Sequence, residues 1–286
     1  VAELAGGEIV NADSRQVYRD LTIGTSAPPA ALVERAPHHL FQFVDPCVRY
    51  SAGAYARDAH AAIADIETRG KLPMVVGGTG LYIEALAGTM PMDRIAAGDD
   101  VRFRVRSESA AHPQPFLHGW LHIIAPDDAP RVPAGDSYRT LRALESALGA
   151  RLDRASGVTS RAALDTVALQ LVILDIPTDE LRARIDSHAR AMFDDGIDEE
   201  AVAVWRRCPD APALTGLGYA EALAWRRGEM TRAEAIASTI ARTSRYAKRQ
   251  RTWFRRMVDA QRIDATDARA AAAAIARIAR ENIVRT

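Results

Sequence analysis

Cysteine is scarce: the 286 residues hold two, Cys47 and Cys208, far apart, in no CxxC pair and beside no pair of histidines. That spacing argues against a disulfide framework and against a zinc site, and it fits a reducing cytosol. The adjacent His38 and His39 are poorly spaced for chelation from one helix face. No apolar run approaches the roughly 18–20 residues that span a bilayer. The opening VAELAGGEIV has no basic stretch followed by a long apolar core, so no secretory leader is expected. Net charge is missing too. With 37 basic and 37 acidic residues, attraction to a polyanion must come from a local patch rather than the whole surface. Internal repeats are absent. What remains is the profile of a soluble globular chain, 48% hydrophobic and 26% charged, long enough for one large domain or two modest ones.

The order of patterns predicts an α/β protein. Val1 to Ala5 reads as the last turn of a helix stopped by Gly6 or Gly7, followed by a buried strand, EIVNA, that leads into Asp13. A helix is expected over YSAGAYARDAHAAIADIETRG, with Ser51 as N-cap and Gly70 as stop, and then a strand, LPMVV, delivering Gly77-Gly78-Thr79-Gly80. Strand, helix, strand and glycine loop is the grammar of a parallel sheet. EIVNA and LPMVV should be parallel neighbours with Asp13 and Thr79 at one edge, and LQLVILDIP near 165–200 should add to the same core. Prolines from Pro91 to Pro133 suggest a loop-rich, mostly helical insertion over 91–164, set in a core of 1–90 and 165–286. Thr178 is expected to cap a helix with Asp179 and Glu180 in its first turn, and Thr231 with Glu234 to form a capping box.

The strongest local charge lies in RTSRYAKRQRTWFRR, residues 242–256, with seven Lys/Arg and no acid. On a helix Arg242, Arg245, Arg249 and Arg256 share one face, while Ile240, Ala247, Phe254 and Met257 share another. Such a run is either a solvated basic face or a contact surface for a nucleic acid, and no acid at i+4 compensates it. Asp13 stands at the carboxyl end of a strand, where ligands of open α/β sheets bind, although an Asp there also serves as a plain turn residue. The glycine loop is weak as a signal alone. Its backbone N–H groups and the Thr79 hydroxyl could face an anion, and the two loops together, on one sheet edge, are a stronger signal.

These residues resemble the tRNA dimethylallyltransferases (tRNA isopentenyltransferases). The matching blocks are EIVNADSRQVYRDLTIGT at 8–25, PHHL at 37–40, DP at 45–46 and YSAGAYARDA at 50–59. They continue with GKLPMVVGGTGLYIEAL at 70–86, GDSYRTLRALE at 135–145, GLGYAEAL at 216–223 and AKRQRTWFRR at 247–256. They run in the family's order over nearly the whole chain, and AKRQxTWFR and VGGTGLY are the most distinctive.

The resemblance implies a P-loop NTPase-like parallel sheet core, a mostly helical insertion and C-terminal tRNA-binding helices. It implies transfer of a dimethylallyl group from its diphosphate to the exocyclic amine of the adenosine beside the anticodon. In that scheme Asp13 accepts the amine proton and Thr79 assists as the diphosphate leaves, with Mg²⁺ as cofactor. Asp13, Ser14, Arg15 and Gln16 match the base-contact segment. Tyr138, Arg139, Thr140, Leu141 and Arg142, and Lys248, Arg249, Gln250, Arg251, Thr252, Trp253, Phe254 and Arg255, match the tRNA-contact segments. Gly77, Gly78, Thr79 and His188 match the diphosphate pocket. A nucleotide-binding, cytoplasmic monomer is the expected setting, with tRNA and dimethylallyl diphosphate as partners and no membrane.

Three departures accompany the resemblance. The family's strand and GxxxxGK[ST] loop, which cradles the diphosphate, occur nowhere here, so an N-terminal truncation is expected. His188, in RIDSHARAM, stands where the family usually has Arg. Ala27 and Thr22 stand where it often has Lys and Asp. A non-catalytic tRNA-binding remnant is therefore one alternative reading. An adenylate isopentenyltransferase acting on free nucleotide is another, disfavoured because a mononucleotide needs no extended basic track.

Overall fold

The computed structural model describes residues 1–89, 99–155, 167 and 169–283. The chain divides into two compact units: Val1–Tyr50, Ala54–Leu86 and Ala168–Thr286 form one, and Ser51–Gly53 with Ala87–Val167 the other.

In the first unit a short helix α1 (Ala2–Ala5) ends at Gly6, whose φ of 66° is the left-handed conformation glycine adopts without Cβ strain. Strand β1 (Gly7–Asn11) follows. After α2 (Ala30–Val33) and β2 (His38–His39), helix α3 (Ala52–Thr68) crosses back and leads into β3 (Leu72–Val76) and α4 (Gly80–Leu86). The sheet order is β2-β1-β3, all parallel, with Gly7 opposite Leu72 and Asn11 opposite Val76. The expected pairing of EIVNA with LPMVV is thus found. Tyr55, Ala59, Ile63 and Ile66 are buried at helical spacing along α3, and Tyr55 stacks on Tyr82 of α4 at 4.0 Å between ring centroids. The one charge buried in β1, Glu8, is matched by Arg69 and His39, each 2.7 Å away, as a buried carboxylate requires.

The second unit is more regular than its prolines suggest. It holds α5 (Asp99–Ala111), α6 (Gln114–Ile124) and α7 (Ser137–Ala155) around Val101, Val105, Leu117, Leu121, Ala129 and Leu144. Pro113 and Pro115 open α6 rather than break it, because the first helical turn leaves its N–H groups unpaired anyway. The loop expected just before Asp165, and Pro91, lie outside the described residues.

The rest of the first unit runs through β4 (Val172–Asp175), α8 (Thr178–Asp194), α9 (Ile197–Arg207), α10 (Tyr219–Arg226), α11 (Arg232–Phe254), β5 (Gln261–Asp264) and α12 (Ala268–Ile283). Two expectations are corrected here. The strand near LQLVILDIP does not extend the main sheet; β4 pairs in parallel with β5 as a separate two-stranded sheet. Its partner, QRID, offers only Ile263 as an apolar residue and so gave no strand pattern. Thr178 is not a side-chain cap: Pro177 occupies that position, and the Thr178 hydroxyl accepts instead from Arg251 at 2.8 Å. The capping box is as expected, with Glu234 N–H donating to Thr231 Oγ1 at 3.2 Å and Thr231 N–H to Glu234 Oε2 at 2.7 Å.

Candidate active site

The buried Asn11 shapes the turn after β1. Its Oδ1 accepts from Asp13 N–H at 2.8 Å, and its Nδ2 donates to the carbonyls of Asp13 and Leu40 at 3.1 and 3.0 Å. Asp13 Oδ1 accepts from Arg15 N–H at 2.7 Å. This local turn leaves the second carboxylate oxygen without a partner among the described residues. From the neighbouring strand Thr79 Oγ1 accepts from Ser14 N–H at 3.0 Å and lies 3.3 Å from Ser14 Oγ. Asp13 and Thr79 therefore share one edge of the parallel sheet.

The glycine loop serves close approach more than an open anion cradle. A Cβ at Gly77 would lie 2.2 Å from Ala12 C, and Thr79 N–H is donated inward to Ala12 O at 3.1 Å. Gly78 and Gly80 meet the basic helix α11. Gln250 Nε2 donates to Gly78 O at 2.9 Å, and a Cβ at Gly80 would lie 2.2 Å from Trp253 Nε1. The stripe docked on the glycine loop is Tyr246, Gln250 and Trp253, at i, i+4 and i+7, while Ile240, Ala247, Phe254 and Met257, the residues expected to pack, are all half-buried. Tyr246 was not among the residues singled out. Its phenol lies by Thr79 and Gln250, and burial followed by the charge of Asp13 pushes its ionisation up, so it is a neutral hydroxyl at physiological pH. Periodicity with Gln250 and Trp253 was the available signal.

The basic residues of α11 divide in two. Arg242 does not present its charge: its Nη1 holds the buried Glu221 carboxylate at 2.6 Å, an acid supplied by α10 and so invisible to an i+4 test. Arg251 is also turned inward, to the Thr178 hydroxyl and the Ile176 carbonyl. Arg245, Lys248, Arg249 and Thr252 are exposed on α11; Arg255 and Arg256 are also exposed but lie in the turn past its end, so Arg256 does not share the helical face expected for it. Arg249 also lies over the Tyr246 ring, 5.7 Å from its centroid. Phe254 is half-buried, and its carbonyl accepts from Arg262 at 3.2 Å.

Arg15 and Gln16 are engaged within the protein. Arg15 Nη1 reaches Pro212 O at 3.3 Å and Thr215 Oγ1 at 3.1 Å, and Gln16 Nε2 donates to the carbonyls of Thr25 and Ser26, both at 3.1 Å. Glu200 of α9 holds that loop: its carboxylate accepts from the N–H groups of Thr22, Ile23 and Gly24, from the Thr22 hydroxyl and, at 2.7 Å, from Tyr219 OH. Neither Glu200 nor Tyr219 was singled out, since Glu200 reads as one more acid in the first turn of a helix. Ser26 Oγ and His188 Nε2 lie 2.8 Å apart. The structure thus joins His188 to the 22–27 loop. No hydrogen bond or ion pair among the described residues links it to Gly77, Gly78 or Thr79.

In the second unit Tyr138 is 70% exposed, and Arg139 pairs with Asp136 at 3.4 Å. Thr140 is buried between Gln114 and the Asp136 carbonyl, Leu141 packs on the core, and Arg142 holds Glu145. Of this segment the side chains of Tyr138 and Arg139 are the most open to a partner. Among the described residues no group of three or more His, Cys, Asp or Glu could hold a metal, and no helix is long and apolar enough to cross a membrane.

A family model described as IPP transferase matches residues 16–257. A tRNA dimethylallyltransferase of Anaeromyxobacter dehalogenans is 42% identical over 257 residues, covering 90% of this chain and 86% of the relative. One from Halorhodospira halophila is 40% identical over 273 residues, with 93% and 87% covered. Among solved structures, the full-length tRNA isopentenylpyrophosphate transferase of Bacillus halodurans superposes with a TM-score of 0.64 at 31% identity, covering 92% of this chain and 83% of that one.

Proposed function

The chain belongs to the IPP transferase family, and from that premise we propose that it transfers the dimethylallyl group of dimethylallyl diphosphate to the exocyclic amine of an adenosine beside the anticodon of tRNA. The observation that carries the reading is the convergence of Asp13 and Thr79 at one sheet edge, joined through Ser14 at 3.0 Å, with an exposed basic helix docked on the same loop through Gln250.

That amine is a weak nucleophile because its lone pair is delocalised into the purine. Its proton must leave as the bond to the allylic carbon forms, and the free oxygen of Asp13 is the acceptor in our reading. Allylic carbon favours a loose transition state in which the diphosphate departs with growing negative charge. Hydroxyl and amide donors fixed before the reaction stabilise that charge without reorganising. Thr79, with Gly77, Gly78 and His188 as the further candidates, is proposed to face it. The adenine must leave its stack to reach a strand-edge site, and it does so against the segment Ser14–Gln16. Arg245, Lys248, Arg249 and Arg255 then meet phosphates of the tRNA, with Tyr138 and Arg139 as the contacts offered by the helical insertion.

Mg²⁺ binds through few protein ligands when substrate phosphates supply the rest. The Ser14 and Thr79 hydroxyls fit that mode and would hold it, which leaves Asp13 for the proton. Bound there, the ion would neutralise charge on the departing diphosphate. We read the protein as a monomer working in the cytosol.

The test is single-turnover transfer to unmodified tRNA by the protein and its Asp13→Asn variant. The variant should be slower by about 10²–10⁴-fold, the usual worth of a positioned base, with tRNA affinity unchanged. A near-normal rate would leave Asp13 as a turn residue and sink the reading.

A further inference from the structure

The two cysteines, remote in sequence, are neighbours in space. Arg207 Nη2 lies 3.8 Å from Asp45 Oδ1, Cys47 N–H donates to Asp45 Oδ1 at 2.8 Å, and Ala213 N–H approaches Pro46 O at 3.5 Å. These contacts press residues 45–47 against the end of α9, where Cys208 is the C-cap. The Cys47 thiol sits beside Cys208 and Arg207, close enough to interact with both, and both cysteines are free and half-buried rather than sealed in the core. No part of the proposed transfer chemistry uses them.

We propose that Cys47 and Cys208 form a redox modification site, at which a low-molecular-weight disulfide oxidises the pair to one intramolecular disulfide. The Cys208 thiolate attacks a sulfur of the small disulfide, breaking its S–S bond and releasing one small thiol. The Cys47 thiolate then attacks the Cys208 sulfur of the mixed disulfide, forming the protein S–S bond and releasing the second small thiol. Two electrons pass from the protein to the small disulfide, and the two cysteine protons end on the released thiols.

Contact with Cys208, and then burial, push the Cys47 thiol up to about 11; this disfavours its thiolate, and Cys208 is placed as the first attacker. Once Cys208 is capped, its contact no longer holds the Cys47 proton. The Arg207 guanidinium beside Cys47 then favours the thiolate that resolves the intermediate. The bond would tie residues 45–47 to the end of α9, a few residues before the Pro212 and Thr215 groups that hold Arg15.

The reduced native protein is incubated with glutathione disulfide, then followed by thiol titration in denaturant, intact mass and non-reducing peptide mapping. Both thiols should disappear with the loss of two hydrogens in mass, and one peptide pair should link Cys47 to Cys208. Cys47→Ser should stop at a single glutathione adduct on Cys208. Closure in urea should be slower by at least about tenfold, because unfolding removes the high effective concentration of the pair. Four results would each overturn the proposal: two stable adducts on the native protein, disulfides between chains, unreacted thiols, or closure as fast in urea as in the native state. None of these readouts depends on transferase activity.

Discussion

Glu200 is the side chain whose removal tests the site's scaffold most directly. Its carboxylate gathers donors from three consecutive residues, Thr22 to Gly24, and from Tyr219 OH at 2.7 Å. Tyr219 is 1% exposed, so in Glu200→Ala its hydroxyl loses its acceptor without gaining water. An orphaned buried donor costs about 1–3 kcal/mol. Thr22 is exposed and is rehydrated at little cost, whereas the half-buried Ile23 and Gly24 amides lose about 1 kcal/mol between them. The sum is about 2–4 kcal/mol. Tyr219 also packs so closely that a Cβ on Gly24 would lie 2.4 Å from its Cζ, which leaves the ring no room to turn towards solvent. Glu200→Gln retains one acceptor oxygen and the volume, and should cost about half as much. Urea unfolding followed by tryptophan fluorescence reads both variants, since Trp205 on α9 and Trp225 on α10 flank the region. Hydrogen exchange at residues 22–26 should rise in step. A loss below about 0.5 kcal/mol for Glu200→Ala, typical of an unremarkable surface change, would refute the view that this carboxylate holds the loop carrying the Gln16 and His188 partners.

Replacing Arg245, Arg249 and Arg256 together by alanine should weaken binding to many tRNAs alike and flatten the salt dependence, by roughly 0.7–0.9 per lost phosphate contact. Arg242→Ala is the control: because Arg242 holds Glu221, it should lower stability and leave the slope unchanged. Acid should unfold the protein partly through Glu8, whose carboxyl is held low by hydrogen bonds from Arg69 and then His39. A depressed folded value contributes stability that is present above the unfolded value, about 4.3, and is lost as pH falls through the folded one. Melting temperature between pH 2 and 6 should therefore fall less steeply in Glu8→Gln than in the parent.

The strand-edge geometry was legible because it rests on local signals: buried runs of strand length, a glycine stop at Gly6, and polar residues just past each strand. The capping box at Thr231 was legible for the same reason. What escaped depends on partners far away in sequence. Glu221 compensates Arg242 from another helix, Gln16 and Arg15 spend their side chains on carbonyls and a hydroxyl of distant loops, and QRID becomes a strand only because β4 lies beside it. Tyr246 was hidden by its neighbours. Seven cations in fifteen residues drew attention to charge and away from the uncharged stripe that faces the glycine loop. The prolines of the insertion misled in the opposite way, since their place at helix starts cannot be told from a break by composition alone.

Helix α11 carries its exposed cations and its loop-facing Tyr246, Gln250 and Trp253 on interleaved positions of the same turns. Each residue advances the helix by about 100°. Loss or gain of a single residue between the Thr231 cap and Tyr246 would rotate both sets at once, pointing Gln250 away from Gly78 and swinging the exposed arginines out of line. Only insertions or deletions near a whole number of turns would keep the phase. The length of this helix is therefore fixed in steps, and its exposed basic face cannot drift in sequence register without unseating the glycine loop beneath it.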